Sequence, residues 1–148
     1  MNKNTLTLLG LLFLLSAVFI SCKKKVDSAN TNELTGAWQE TPTQVYIRRI
    51  RFETDGKFSA VLLGQGGITQ NTLNGSYAIK GDSLIVNIRE RLDRDDSGKI
   101  VRVATNYIFF EKGTFSVRGM QLNIDHITYP ADAPARTQAK FNRIMSID

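Results

Sequence analysis

The chain has 148 residues, 42% of them hydrophobic, and a net charge of +5 from 19 Lys and Arg against 14 Asp and Glu. That is enough apolar material for one core and too little for two, so a single domain is expected. With one histidine and one cysteine, the sequence holds neither a set of three nitrogen or sulfur ligands for zinc nor a disulfide framework.

Residues 1–21 stand apart from the rest. Lys3 supplies a sparse positive start, Leu6 to Ile20 is an apolar run of 15 residues, and Ser21 then precedes Cys22. The run is shorter than the roughly 20 residues a spanning helix needs and has the length of a signal-peptide core. The segment resembles a bacterial lipoprotein signal, in which a small residue precedes the cysteine that becomes acylated; Phe19 stands where leucine is usual. A plain signal peptide or an uncleaved anchor is the alternative. The resemblance implies cleavage after Ser21, a lipid on Cys22 and a mature protein anchored to a bilayer without spanning it. Lys23, Lys24 and Lys25 follow, where each would gain on the order of 1 kcal/mol from anionic headgroups. Residues 22–33, ending in the polar run Val26 to Glu33, read as a tether. Removing residues 1–21 takes away only Lys3 and leaves a net charge of +4. With three of those cations beside the anchor, the domain itself is near neutral, which argues against nucleic acid as a partner.

The folded part, residues 34–148, opens with a strand in which Leu34, Gly36 and Trp38 share a face. Val45 to Glu53 is a second strand, with Ile50 and Phe52 opposite Arg49, Arg51 and Glu53; Ile47 is out of phase, which predicts a bulge near Arg48 and Arg49. The turn Thr54-Asp55-Gly56-Lys57 leads to alternating Phe58, Ala60 and Leu62. A polar loop starts at Gly64-Gln65-Gly66-Gly67 and is expected to run to about Asn74. Next comes a hairpin that occurs twice: Gly75 to Val86 (GSYAIKGDSLIV) and Gly113 to Ile124 (GTFSVRGMQLNI) match in residue type, position by position, 38 residues apart. Each is an alternating strand pair around a glycine turn. Between the copies, Ile100 to Glu111 reads as the longest strand, with Val101, Val103, Tyr107 and Phe109 on one face and Ile108 and Phe110 on the other. Apolar residues on both faces at its end call for coverage by a loop, a bulge or a partner. Tyr129 to Pro134 carries two prolines and breaks regular structure. Thr137 to Met145 fits either a strand or a helix, and the strand is favoured because the first strand needs a closing partner.

Eight or nine short antiparallel strands joined by hairpins make an all-β protein, and closure into an antiparallel up-and-down meander barrel of about eight strands removes the sheet edges. Leu34-x-Gly36-x-Trp38, Phe52-x-x-Asp55-Gly56-x-Phe58 and Gly75-x-Tyr77 followed by Gly81-Asp82-x-Leu84 resemble the lipocalin-like domains of lipoproteins from Bacteroidetes-type bacteria, over residues 34–145. The resemblance implies a lipocalin-like barrel whose floor is closed by Trp38 with a late arginine, Arg143, stacked on it. By the same likeness, Lys23 after Cys22 and the missing acidic run place the protein at the outer membrane, facing the periplasm.

The candidates for chemistry are weak. His126 has Asp125 beside it on the opposite face and no nucleophile motif in the sequence, so no catalytic residues and no enzyme activity are expected. Asp93-x-Asp95-x-Ser97-Gly98 imitates the start of a calcium loop, but Ala104 stands where the bidentate glutamate belongs. Gly64, Gly66 and Gly67 lack the following helix of a phosphate loop. No metal or cofactor is expected. Arg48, Arg49, Arg51, Arg89 and Arg91 form either a cationic patch or ordinary outward-facing polar positions. Phe58, Ala60, Leu62, Tyr77, Ile79, Leu84, Val86, Ile88, Val103, Tyr107 and Phe109 share the predicted inward face. They would line a cavity for a small hydrophobic ligand if the barrel is hollow, and form its core if it is filled. The first reading makes a lipid-anchored binding protein, with its membrane anchor and an apolar ligand as partners. The second makes an interaction or structural lipoprotein that docks an envelope protein.

Overall fold

In a computed structural model of the chain, the described residues are 31–43, 46–64, 69–94 and 97–145. The signal segment 1–21, the lipid-attachment residue Cys22 and residues 23–30 of the tether lie outside them, as do most of the glycine loop and Asp95 and Asp96. A single helical turn, α1 (Thr31–Leu34), precedes nine strands: β1 (Gly36–Glu40), β2 (Ile47–Phe52), β3 (Lys57–Leu63), β4 (Thr69–Lys80), β5 (Ser83–Arg94), β6 (Ile100–Ile108), β7 (Glu111–Arg118), β8 (Gln121–Thr128) and β9 (Ala135–Ile144). Pairing is antiparallel throughout, in the order β4-β3-β2-β1-β9-β8-β7-β5-β6, and a further β4–β5 ladder closes the ring. The fold is thus a closed up-and-down barrel of eight strands, lipocalin-like in architecture, with β6 left over as an extra strand.

The duplicated sequence unit forms two of the hairpins, β4–β5 and β7–β8. Its two glycines do different work. Gly81 and Gly119 sit in the left-handed region, φ +64° and +58°, where a side chain is strained, and they make the tight turns. Gly75 and Gly113 are set against the backbone of β5: a Cβ on Gly75 would run into the Asn87 carbonyl, and one on Gly113 would lie 2.9 Å from the Leu84 oxygen. Both copies therefore press onto the same strand, which is where the barrel is sealed.

One end of the barrel is closed. Each tight turn there accepts a hydrogen bond from the strand beyond it: Tyr77 N–H to the Gly56 oxygen at 2.8 Å, Phe115 N–H to Asp82 at 3.0 Å and Arg143 N–H to Met120 at 2.8 Å. The indole of Trp38 donates to the Leu34 oxygen at 2.9 Å, which brings α1 under the barrel. Above this floor runs an aromatic column. Tyr77 meets Phe52 at 5.0 Å between centroids, Phe52 meets Phe58 at 5.2 Å, Phe58 meets Phe109 at 5.5 Å, and Phe109 meets Phe110 at 4.7 Å. Ile50, Val86, Ile88, Phe115, Leu122, Ile124 and Phe141 pack around it in one contiguous cluster.

Three expectations change. The segment Ile100 to Glu111 is not one strand: it breaks at Phe109 and Phe110, because both rings turn into the core, and the Phe109 N–H bonds to the Val86 oxygen at 2.9 Å. The loop predicted to reach Asn74 ends earlier, since β4 starts at Thr69, paired with β3 from there and with β5 from Asn71. No bulge interrupts β2, whose register with β3 is unbroken from Ile47↔Leu63 to Phe52↔Phe58. Arg48 therefore has the inward parity of Ile50 and Phe52, and its guanidinium finds Glu40 at 3.1 Å. Residues 130–132, in the proline segment, form a short 3-10 turn. The strand favoured for Thr137 to Met145 is borne out by β9, which ends at Ile144 and holds both β8 and β1, so closing the barrel.

Candidate functional site

Of the eleven residues predicted to line the interior, Phe58, Ala60, Tyr77, Leu84, Val86 and Ile88 are buried in the core, and Leu62, Ile79 and Phe109 are partly buried. Val103 and Tyr107 are corrections: they are 36% and 42% exposed. Their alternation is as predicted, and Tyr107 stands opposite the core residue Ile88, but among the described residues both side chains are exposed. β5 changes partner along its length, pairing with β7 at Ser83 and Leu84 and with β6 from Asn87 to Arg94. β6 consequently stands outside the ring, and it borders only β5 among the described residues.

The floor pair is assembled at the closed end. The Arg143 guanidinium lies 4.2 Å from the centre of the Trp38 ring and donates to the Thr35 oxygen at 2.8 Å and the Glu33 oxygen at 2.6 Å. One side chain stacks on the floor and clamps the arriving chain, which gives it a structural role.

The open end carries the polar groups. Arg48, paired with Glu40, sits 5.8 Å from the centre of the Phe109 ring. His126 is only 7% exposed, edge-on to Phe110 at 5.2 Å between centroids, and its Nδ1 has no hydrogen-bond partner. Burial, with a smaller contribution from the Arg48 charge, holds its pKa below the usual histidine value. Asp125, its neighbour in sequence, points away and accepts from Gln138 Nε2 at 3.1 Å. No nucleophile and orienting acid converge on this imidazole among the described contacts. The buried Asn71 Oδ1 also lacks a partner.

Four of the five arginines have partners of their own. Arg48 is turned inward, Arg49 donates to Gln39 at 3.0 Å, Arg89 donates to Asn106 at 2.8 Å, and Arg91 is paired with Asp93 at 2.8 Å. That last pair also occupies the first carboxylate of the calcium-like run, and no group of three His, Cys, Asp or Glu able to hold a metal ion occurs among the described residues.

Two features lie outside what the sequence reading assigned. The first is a groove of about 400 Å³ where β5 passes from β6 to β7, lined by Ser83, Leu84, Ile85, Ile108, Phe110, Lys112 and Gly113. Lys112 adopts a φ of 48°, in the left-handed region, at the bend that opens it. The second is β6 itself, whose Ile100, Val101, Val103, Tyr107 and Ile108 make up half of the ten large hydrophobics that are exposed among the described residues. The signal for both was the apolar character of each face at the end of the 100–111 run.

The fold and these two surfaces define a closed barrel with one contiguous buried apolar cluster and an apolar flank. In comparison with protein-family models, curated proteins and solved structures, nothing matched the chain.

Proposed function

We propose that this protein is a filled-barrel interaction module, tethered through a lipid on Cys22 to the outer membrane of a bacterial envelope and facing the periplasm, that docks a protein along the β6 edge. The observation that carries this reading is where the apolar side chains go. Those of the barrel interior are spent on the aromatic column and its surrounding cluster, while five of those exposed among the described residues lie on one strand at a sheet edge. Contiguous exposed apolar surface of this kind marks interaction sites, and an unpaired strand edge is a template for another strand. Neither a catalytic residue nor a cofactor has a part in this reading.

Photo-crosslinking in intact cells tests it. A crosslinker at Val103 or Ile108 is expected to capture a discrete protein band, and one at Ala78, exposed on β4 away from β6, is not. Equal labelling from both positions, or none from either, contradicts the reading.

A second reading is favoured by the wall groove. Its apolar lining and the single cation Lys112 suit a small apolar molecule with an anionic head, held on the barrel flank instead of inside. Titration of the full chain in mild detergent with a fluorescent fatty acid separates the two. Saturable binding lost in Phe110→Ala and weakened in Lys112→Glu supports the ligand; absence of saturable binding leaves the interaction module alone.

A further inference from the structure

Resting on the anchored half of the proposed reading, we infer that the closed end of the barrel is a membrane-contact surface: the domain sits on its floor, with Met120 and Met145 at the headgroup boundary of an anionic bilayer. Three features of the fold meet there. The first is where the chain enters. Arg143 gathers the rim at one point, since its guanidinium holds the Glu33 and Thr35 oxygens of the arriving chain and its N–H is bonded to the Met120 oxygen at 2.8 Å. Met145 follows two residues later. The helical turn α1 begins at Thr31, nine residues after Cys22, a reach of about 30 Å at full extension. β9 is ten residues long, which sets the open end about 25 Å further off in a tilted barrel strand. A chain anchored at Cys22 therefore presents its floor to the bilayer, because its open end would meet lipid only with the tether almost fully drawn out.

The second feature is exposure. Met145 at 105% and Met120 at 63% are the two most exposed large hydrophobics among the described residues, and both lie on this rim. The third is a comparison the chain makes with itself. In the duplicated hairpin, Met120 of the second copy occupies the position of Asp82 in the first, each directly after the turn glycine. The two turns do the same structural work: the Asp82 oxygen accepts from Phe115 N–H at 3.0 Å, as the Met120 oxygen accepts from Arg143. An aspartate thus satisfies the turn, and the methionine stands in the copy that adjoins the tether. Methionine is flexible and fills irregular apolar surroundings, which suits it to the acyl boundary of a bilayer. Arg118, exposed two residues before it, matches headgroup phosphate, and Lys23, Lys24 and Lys25 on the tether add attraction to anionic lipid. The turns Thr54 to Lys57 and Lys80 to Asp82 carry acid and base together, so the contact belongs to the side where α1 enters. β6, which pairs with β5 only from Asn87 to Arg94, is then held away from the lipid.

Spin-labelled lipid reads the contact. Full-length chain purified from its host is reconstituted into vesicles of phosphatidylethanolamine and phosphatidylglycerol. Acylation leaves Cys22 no thiol, so a fluorophore goes only to an introduced cysteine. A fluorophore on Gln121→Cys, beside Met120, is expected to be quenched by a nitroxide at headgroup depth, and one on Ala133→Cys, exposed between β8 and β9 at the open end, is not. Met120→Asp with Met145→Asp is expected to lose the quenching at 121 while the vesicles still carry the protein. Both side chains are exposed, so its thermal transition is expected to match that of the parent. High salt screens the cations and leaves apolar insertion intact, and is expected to preserve the quenching at 121. Equal quenching at 121 and 133, quenching indifferent to the double substitution, or quenching abolished by salt alone overturns the inference and leaves the anchor standing. An unsubstituted chain that takes the fluorophore on Cys22 and fails to float with the vesicles overturns the anchor and the inference with it.

Discussion

His126 shows how a single residue records what its strand could not avoid. β8 alternates Leu122, Ile124 and His126 into the interior, so the imidazole enters the core at the open end, against Phe110 and within reach of the Arg48 field. Burial is the main cause of its lowered pKa. A histidine whose folded pKa lies below its unfolded value contributes its full stability above the unfolded value of about 6.5 and loses it as pH falls toward the folded pKa, because the unfolded chain takes up the proton first. Urea denaturation at pH 7.5 and at pH 5.5 should therefore show stability falling with acidification, and His126→Leu should flatten that fall while leaving stability at pH 7.5 nearly unchanged. An identical pH slope in the variant would place the titrating group elsewhere. The sequence placed this residue on its strand but offered no means of seeing Arg48 beside it. Ile47 broke the alternation, which suggested a bulge, and only the unbroken register of β2 with β3 shows that an arginine is the residue turned inward, where Glu40 receives it.

At the scale of elements, the duplicated hairpin was the most legible part of the chain, because alternation about a glycine specifies both strands and the turn between them. What spacing could not reveal is that the two glycines of each copy have different reasons to be there. Gly81 needs a left-handed backbone in open space, whereas Gly75 is held against the Asn87 carbonyl. Gly81→Ala is expected to cost about 1 kcal/mol through backbone strain alone. Gly75→Ala must push two strands apart and is expected to cost more than about 3 kcal/mol or prevent folding. Equal thermal shifts in the two variants would contradict this assignment. β6 was the least legible element. Its alternation correctly groups Val101, Val103 and Tyr107, but a period of two reports which residues share a face and says nothing of whether another wall stands opposite.

For the whole molecule, the floor motif and the lipocalin-like barrel were written in short local signatures, and the barrel closes through the β9 strand that the sequence left ambiguous. The proposed function rests on two matters that local patterns do not encode. One is the packing of the inward face, where aromatic rings meet from the floor to the open end. The other is the change of partner along β5, which frees an apolar strand at the edge. On the proposed reading, this barrel works through the β6 edge and not through its interior. Amide hydrogen exchange measures that claim most directly, comparing the chain in membranes from cells that produce it with the same chain extracted and diluted in mild detergent. Protection of residues 100–108 in the membranes, lost on dilution while the barrel strands stay unchanged, is the predicted result. Equal exchange of β6 in both states, or a loss of protection spread over the barrel interior on extraction, would contradict it.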